Sequence, residues 1–135
     1  MPIQLEGVTM LTNNVARLAS FYHEVLAFRI VIEEEDYVEF ENSGVRLAIC
    51  SNPLMADNTQ DHPSFKEEKK GQAFEFNFQC DSADEVRELY QTYVSKGATA
   101  ITEPTQKSWG HVTAFFADPD GNIHSLFAVS PVAEE

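Results

Sequence analysis

The chain has 135 residues, 43% of them hydrophobic, with ten Phe, four Tyr and one Trp; that is enough for one compact domain with a real core and excludes intrinsic disorder. Its formal net charge is −13, from nine Lys and Arg against 22 Asp and Glu, which argues against nucleic acid or an anionic membrane as partner; it serves solubility first and would also suit a cationic ligand. No stretch approaches the ~20 apolar residues of a spanning helix. MPIQLEGVTM lacks the basic start and apolar run of a secretory leader, and Cys50 and Cys80 fit neither a disulfide frame nor a zinc spacing, so a cytoplasmic protein with reduced thiols is expected.

In chain order, GVTML alternates as a strand. NNVARLASFYHEVLAF then repeats Val15, Leu18, Tyr22, Val25 and Leu26 at helical spacing behind the capping candidates Asn13 and Asn14. FRIVIEE, DYVEFEN and VRLAIC read as strands. Residues 51–72, rich in Pro, Asn, Asp and charge, read as a long loop, either a cover for a pocket or plain surface. FEFNFQC alternates clearly, with Phe74, Phe76 and Phe78 on one face and Glu75, Asn77 and Gln79 on the other. DSADEVRELYQTYVSKGA is a second helix: Val86, Leu89, Tyr90, Tyr93 and Val94 share a face, Ser82 and Glu85 form a capping box, and Gly97 ends it. TAITEP, HVTAFFA and NIHSLFAV are again strands, and DPDGN between the last two is a hairpin turn in which Asp120-Gly121 tolerates positive φ.

A shift of 68 residues lays one half on the other, Tyr22 on Tyr90 and Gly7 on Glu75. One βαβββ unit is written twice, in element order more than in letters. Module one runs over about 4–50 and module two over about 73–129 of a single domain.

FY-x-x-VL within NVARLASFYHEVLAF, SWG at 108–110 and FADPDGNIHSLF together resemble the vicinal oxygen chelate superfamily, which contains glyoxalase I, bleomycin resistance proteins and extradiol dioxygenases. The resemblance spans about residues 4–129. It implies an α+β fold in which two βαβββ modules form a curled mixed sheet around a shared cup, with the helices outside. Phe74, Phe76 and Phe78, like Val45, Leu47 and Ile49, would then face the helices.

The superfamily's enzymes mostly hold a divalent metal through side chains at four strand positions, and the resemblance carries these onto Gly7, Ala48, Glu75 and Ser125. Only Glu75 is a good donor, whereas such a site needs about three protein ligands. His23 is expected at a helix surface and His62 in the loop. His124 should face away from Ser125 because one residue along a strand reverses the face. His111 should face the cup. The resemblance therefore implies a cup without a resident metal.

By parity the cup would carry Thr9, Arg46, Glu75, Asn77, Trp109, His111, Thr113, Phe115 and Ser125. Aromatic walls with a few placed polar groups suit a small organic ligand. Arg46 would hold a carboxylate or phosphate, or else neutralise Glu75. Trp109 would stack on a ring or an organic cation, or serve as a hinge or dimer contact. Glu75 and His111 are the only acid–base candidates for catalysis. Cys50 is expected to be an inert inward thiol. The leading expectation is a metal-free small-molecule-binding homodimer of the glyoxalase/bleomycin-resistance type, sequestering a drug or metabolite. The alternative is a glyoxalase-like lyase, isomerase or dioxygenase using a divalent metal or the Glu75/His111 pair. A third reading has a vestigial cup that only dimerises.

Overall fold

The computed structural model describes residues 2–129. They fall into two compact units that divide between Lys70 and Gly71.

The first unit runs β1 (Gly7–Thr12), α1 (Val15–Glu24), β2 (Ile30–Glu33), β3 (Tyr37–Phe40), β4 (Arg46–Ser51) and α2 (Asn52–Asn58). Its sheet has the order β1-β4-β3-β2, with β1 parallel to β4 and the remaining pairs antiparallel. Helix α1 starts where Asn14 accepts the Arg17 N–H at 3.0 Å. It ends in a turn with Ala27 at φ 66°, which lets the Phe28 N–H reach the Tyr22 carbonyl at 3.0 Å. Leu18 and Tyr22 are fully buried, and Tyr22 meets Phe40 of β3 at a ring distance of 6.3 Å. Leu47 and Ile49 are buried as the alternation predicts. Full burial of side chains of this size contributes about 1.5–3 kcal/mol each.

The segment 51–72 is not the plain loop that its composition suggests. Ser51 caps α2 by accepting the Leu54 N–H at 3.1 Å, and Pro53 sits in the first turn, where its missing N–H costs nothing. A 3₁₀ turn, Pro63–Phe65, follows, capped by His62 through a 3.0 Å bond from the Ser64 N–H. Pro and Asn therefore mark helix starts here rather than irregular chain.

The second unit repeats the plan with β5 (Asn77–Gln79), α3 (Ala83–Ser95), β6 (Thr99–Gln106), β7 (His111–Ala117) and β8 (Ile123–Val129). Its sheet order is β5-β8-β7-β6, the same mixed pattern as in the first unit. The helices begin one 68-residue shift apart, at Val15 and Ala83. Ser82 accepts the Glu85 N–H at 3.1 Å, while the Glu85 carboxylate accepts from Asp81 at 2.7 Å, one residue earlier than a standard capping box. Gly97 stops the helix at φ 120°.

Helix α3 covers one face of this sheet. Tyr93 meets Phe116 edge-on at 5.5 Å, and Val112, Ala114, Phe116, Leu126 and Ala128 are all buried. Phe78, half-buried, packs on the same side, 6.2 Å from Phe116. Phe74 does not: it lies before β5 and is 66% exposed. The reason is local. Gln72 uses its side-chain amide as a strand would use its backbone, accepting from the Ile123 N–H at 2.7 Å and donating to the Ile123 carbonyl at 2.6 Å. The Phe76 N–H then donates to His124 Nδ1 at 3.0 Å. Side chains thus replace the backbone ladder ahead of Asn77, and the regular alternation of FEFNFQC begins later than the letters suggest.

Between Cys80 and α3, burial sets the chemistry of two groups. Burial foremost, with help from the Glu85 charge, pushes the Cys80 thiol up to about 11 and the Tyr93 phenol up to about 12. Both hold their protons more tightly folded than unfolded. Their contribution is therefore complete below the unfolded thiol value of 9.0 and lost as pH rises through the folded values. Urea midpoints should stay level up to about pH 9 and fall between about pH 9 and 12, with a Cys80→Ala, Tyr93→Phe double variant showing a shallower fall. An equally steep fall in the double variant would assign the loss to other groups.

Candidate functional site

The β7–β8 hairpin decides what the open face of the second sheet presents. Asp118, almost wholly buried, accepts the N–H groups of Asp120 at 2.9 Å and Asn122 at 3.0 Å, and the Asn122 amide at 2.8 Å. Gly121 takes φ 85°. This turn pairs Phe115 with Ser125 and Thr113 with Phe127, while β5 pairs Asn77 with Ser125 on the other side. Side chains alternate from there. His124 goes to the helix side, where it is buried, stacks on Phe76 at 4.7 Å and lies 3.8 Å from Asp118. Ser125 goes to the open side, as the parity argument requires.

That open side holds a groove of about 240 Å³ lined by Glu75, Asn77, Trp109, His111, Thr113, Phe115, Ser125 and Phe127. Seven of these were read from the sequence. Phe127 was missed, although it shares the parity of Ser125 two residues on and that rule alone would have found it. The His111 ring lies flat on Phe127, 5.2 Å between centroids and 13° between planes. Trp109, beside Gly110 at φ 95°, stands at the groove with 63% of its surface exposed. Ser125 donates to Asn77 Oδ1 at 2.6 Å. Thr113 is 4% exposed, and its hydroxyl has no hydrogen-bond partner among the described residues.

The two acid–base candidates do not form a pair on this sheet. His111 is level with Val129, at one end of β8. Glu75 precedes Asn77 by two residues and so lies towards the Ile123 end. At a strand rise of roughly 3.3 Å per residue their backbones stand on the order of 15–20 Å apart, far beyond the reach of one proton transfer.

The remaining two predicted residues belong to the first unit. Thr9 lies on β1 opposite Ala48. Arg46 is already engaged: its Nε donates to Glu6 at 2.9 and 3.1 Å, and its Nη1 donates to the Tyr37 hydroxyl at 3.0 Å. Tyr37 in turn donates to Glu39 at 2.7 Å. The hydrogen bond to Glu6 holds the guanidinium pKa above its ordinary value. The Arg46 guanidinium lies over Gly7, where any Cβ would collide with it. The glycine is therefore a seat for Arg46. Cys50 is buried, and burial raises its thiol pKa, as expected of an inert group.

These residues do not fit a divalent metal. Gly7 and Ala48 have no side-chain donor, and Ser125 offers only a neutral hydroxyl, a poor ligand beside carboxylate or imidazole. Among the described residues, no three of His, Cys, Asp and Glu gather as a set able to hold an ion. The groove offers aromatic surface, the Asn77 amide and one carboxylate, Glu75.

Two βαβββ units, each a mixed sheet of order 1-4-3-2 with a helix on one face, define a glyoxalase-type α+β protein. The chain belongs to the Glyoxalase/Bleomycin resistance protein/Dioxygenase superfamily, whose family model matches residues 4–125. Solved structures share the fold. One is a glyoxalase/bleomycin resistance protein/dioxygenase from Nocardioides, with a TM-score of 0.84 and 21% identity over 96% of this chain and 85% of that one. Another is a family enzyme from Burkholderia phytofirmans PsJN, with a TM-score of 0.84 and 21% identity over 94% of this chain and 99% of that one. The protein YraH of Bacillus subtilis (strain 168) is 23% identical over 128 residues, covering 93% of this chain and 98% of its own.

The seating of Arg46 on Gly7 makes a measurable coupling. Gly7→Ala should lower stability by about 1 kcal/mol as Arg46 is expelled from its partly exposed contacts. In an Arg46→Ala background the same change should be neutral or slightly stabilising, since Gly is a poor strand residue. Additive costs in denaturant unfolding would show that the two residues are independent.

Proposed function

We propose that this chain is a small-molecule-binding member of the superfamily that holds a drug or metabolite without a divalent metal. The observation that carries this reading is the content of the four family metal positions: Gly7, Ala48, Glu75 and a Ser125 bonded to Asn77. Supporting it is the groove on the second sheet, where Trp109, Phe115 and the His111–Phe127 stack supply aromatic contact and Asn77 supplies a polar anchor. The separation of Glu75 from His111 on the sheet favours binding over acid–base catalysis.

The test is metal content of the purified, untagged protein after incubation with Zn²⁺, Ni²⁺, Mn²⁺ or Fe²⁺ and desalting. Substoichiometric retention is expected for every ion, with no change on Glu75→Ala, His111→Ala substitution. Near-stoichiometric retention that this double variant abolishes would return the protein to the metal enzymes.

The binding form in this proposal is a cytoplasmic homodimer. Free, buried Cys50 and Cys80 suit a reducing compartment. No helix among the described residues is long and apolar enough to cross a membrane. Exposed Leu5, Val31, Ile32, Phe74, Ile101 and Val129 offer apolar surface for association. Light scattering should give twice the chain mass of 15.2 kDa. A single-chain mass at working concentration would reject the dimer.

A further inference from the structure

Strand register fixes where the groove's side chains stand along the second sheet. Phe115 and Asn77 flank Ser125 at one level, and Phe127 lies one level towards Val129. Glu75, two residues before Asn77, lies one level the other way, towards Ile123. Successive levels on one face are roughly 6.5 Å apart. Ser125 and Thr113 are buried at this surface, whereas Phe115 and Phe127 are only half-buried. Trp109 is exposed beside them. Phenyl rings left partly in water offer apolar area that a flat ligand would cover.

Charge is laid out along the same line. Glu75 is exposed, lines the groove, and makes no hydrogen bond or ion pair among the described residues. Lys and Arg are absent from the lining, so nothing there neutralises Glu75 or would hold a carboxylate or phosphate. The faces of the aromatic rings attract positive charge, and the chain's net charge of −13 favours its approach. An aromatic floor thus ends in a carboxylate one level beyond Phe115.

We propose that the groove takes a flat aromatic ring carrying a protonated amine on a short carbon arm, with the ring packed on Phe115 and Phe127 beside Trp109 and the ammonium at Glu75. This rests on the small-molecule-binding reading of the same groove and adds the shape and charge of what is bound. The two ends have different tasks. The rings hold neutral and charged aryl compounds alike, and the carboxylate ranks them by charge. A short arm covers most of one level of the sheet, and the Glu75 side chain covers the rest.

Four matched compounds test this with the full chain by ligand-observed NMR titration at neutral pH: 2-phenylethylamine, 2-phenylethanol, 3-phenylpropionate and n-butylamine. 2-Phenylethylamine should bind about fivefold more tightly than 2-phenylethanol, the effect of one partly exposed ion pair. 3-Phenylpropionate should be the weakest of the aryl compounds, and n-butylamine, without a ring, should bind more weakly than 2-phenylethylamine. Glu75→Gln should bring the amine down to the affinity of the alcohol and leave the alcohol unchanged. Phe127→Leu, which keeps an apolar side chain on the strand and removes the ring, should weaken all three aryl compounds by a similar factor. Equal binding of amine and alcohol, an amine preference that survives Glu75→Gln, tightest binding of the propionate, or n-butylamine as tight as 2-phenylethylamine would each overturn the proposal. The groove reading survives those results if the aryl compounds bind and Phe127→Leu weakens them. If no aryl compound binds, or if Phe127→Leu changes nothing, the groove reading falls and this proposal falls with it.

Discussion

The Asp118 carboxylate, folded back onto its own turn, sets the phase of the second sheet. By accepting from Asp120 and Asn122 it closes a five-residue connection between β7 and β8 in one register. A slip of one residue would exchange faces all along the strand. His124 would then lie on the groove side and Ser125 among the aromatic side chains beneath α3. The buried contacts of His124 with Phe76 and Asp118 reinforce the same phase from inside the core. Groove chemistry is thus decided several residues from the groove, by a turn.

The two copies of the βαβββ unit use their open faces differently. In the first, the space over Gly7 is filled by Arg46, tied to Glu6 and Tyr37. In the second, at the register level of Asn77 and Ser125, two neutral side chains bond to one another and leave room beside them. The same backbone thus supports an Arg46 ion pair over Gly7 in one copy and a neutral Asn77–Ser125 pair in the other. Duplication makes this easy, because each sheet keeps its helix-side core whatever its other face becomes.

Much of this was legible in the letters. Helical spacing and the capping residues Asn14 and Ser82 located both long helices, and strand parity sent His111, Thr113, Phe115 and Ser125 to one face and His124 to the other. Parity depends only on nearest-neighbour geometry, so it survives without tertiary knowledge. What escaped depends on side chains distant in sequence. Gln72 standing in for backbone at Ile123 shortened β5 and exposed Phe74. Glu6 and Tyr37 claimed Arg46 from 40 and nine residues away. Helix α2 was hidden because Pro and Asn mark loops and helix starts alike. The unpartnered hydroxyl of Thr113 has no sequence signature, since only the folded packing shows that nothing reaches it.

Arg46 also bears on supply. A metal ion has to be acquired from the surroundings, competes with every other chelating molecule there, and can be exchanged for the wrong element. A guanidinium is synthesised with the chain and stays protonated throughout the physiological range. The positive charge above Gly7 is therefore a fixed property of the gene product, the same in a metal-starved cell as in a replete one.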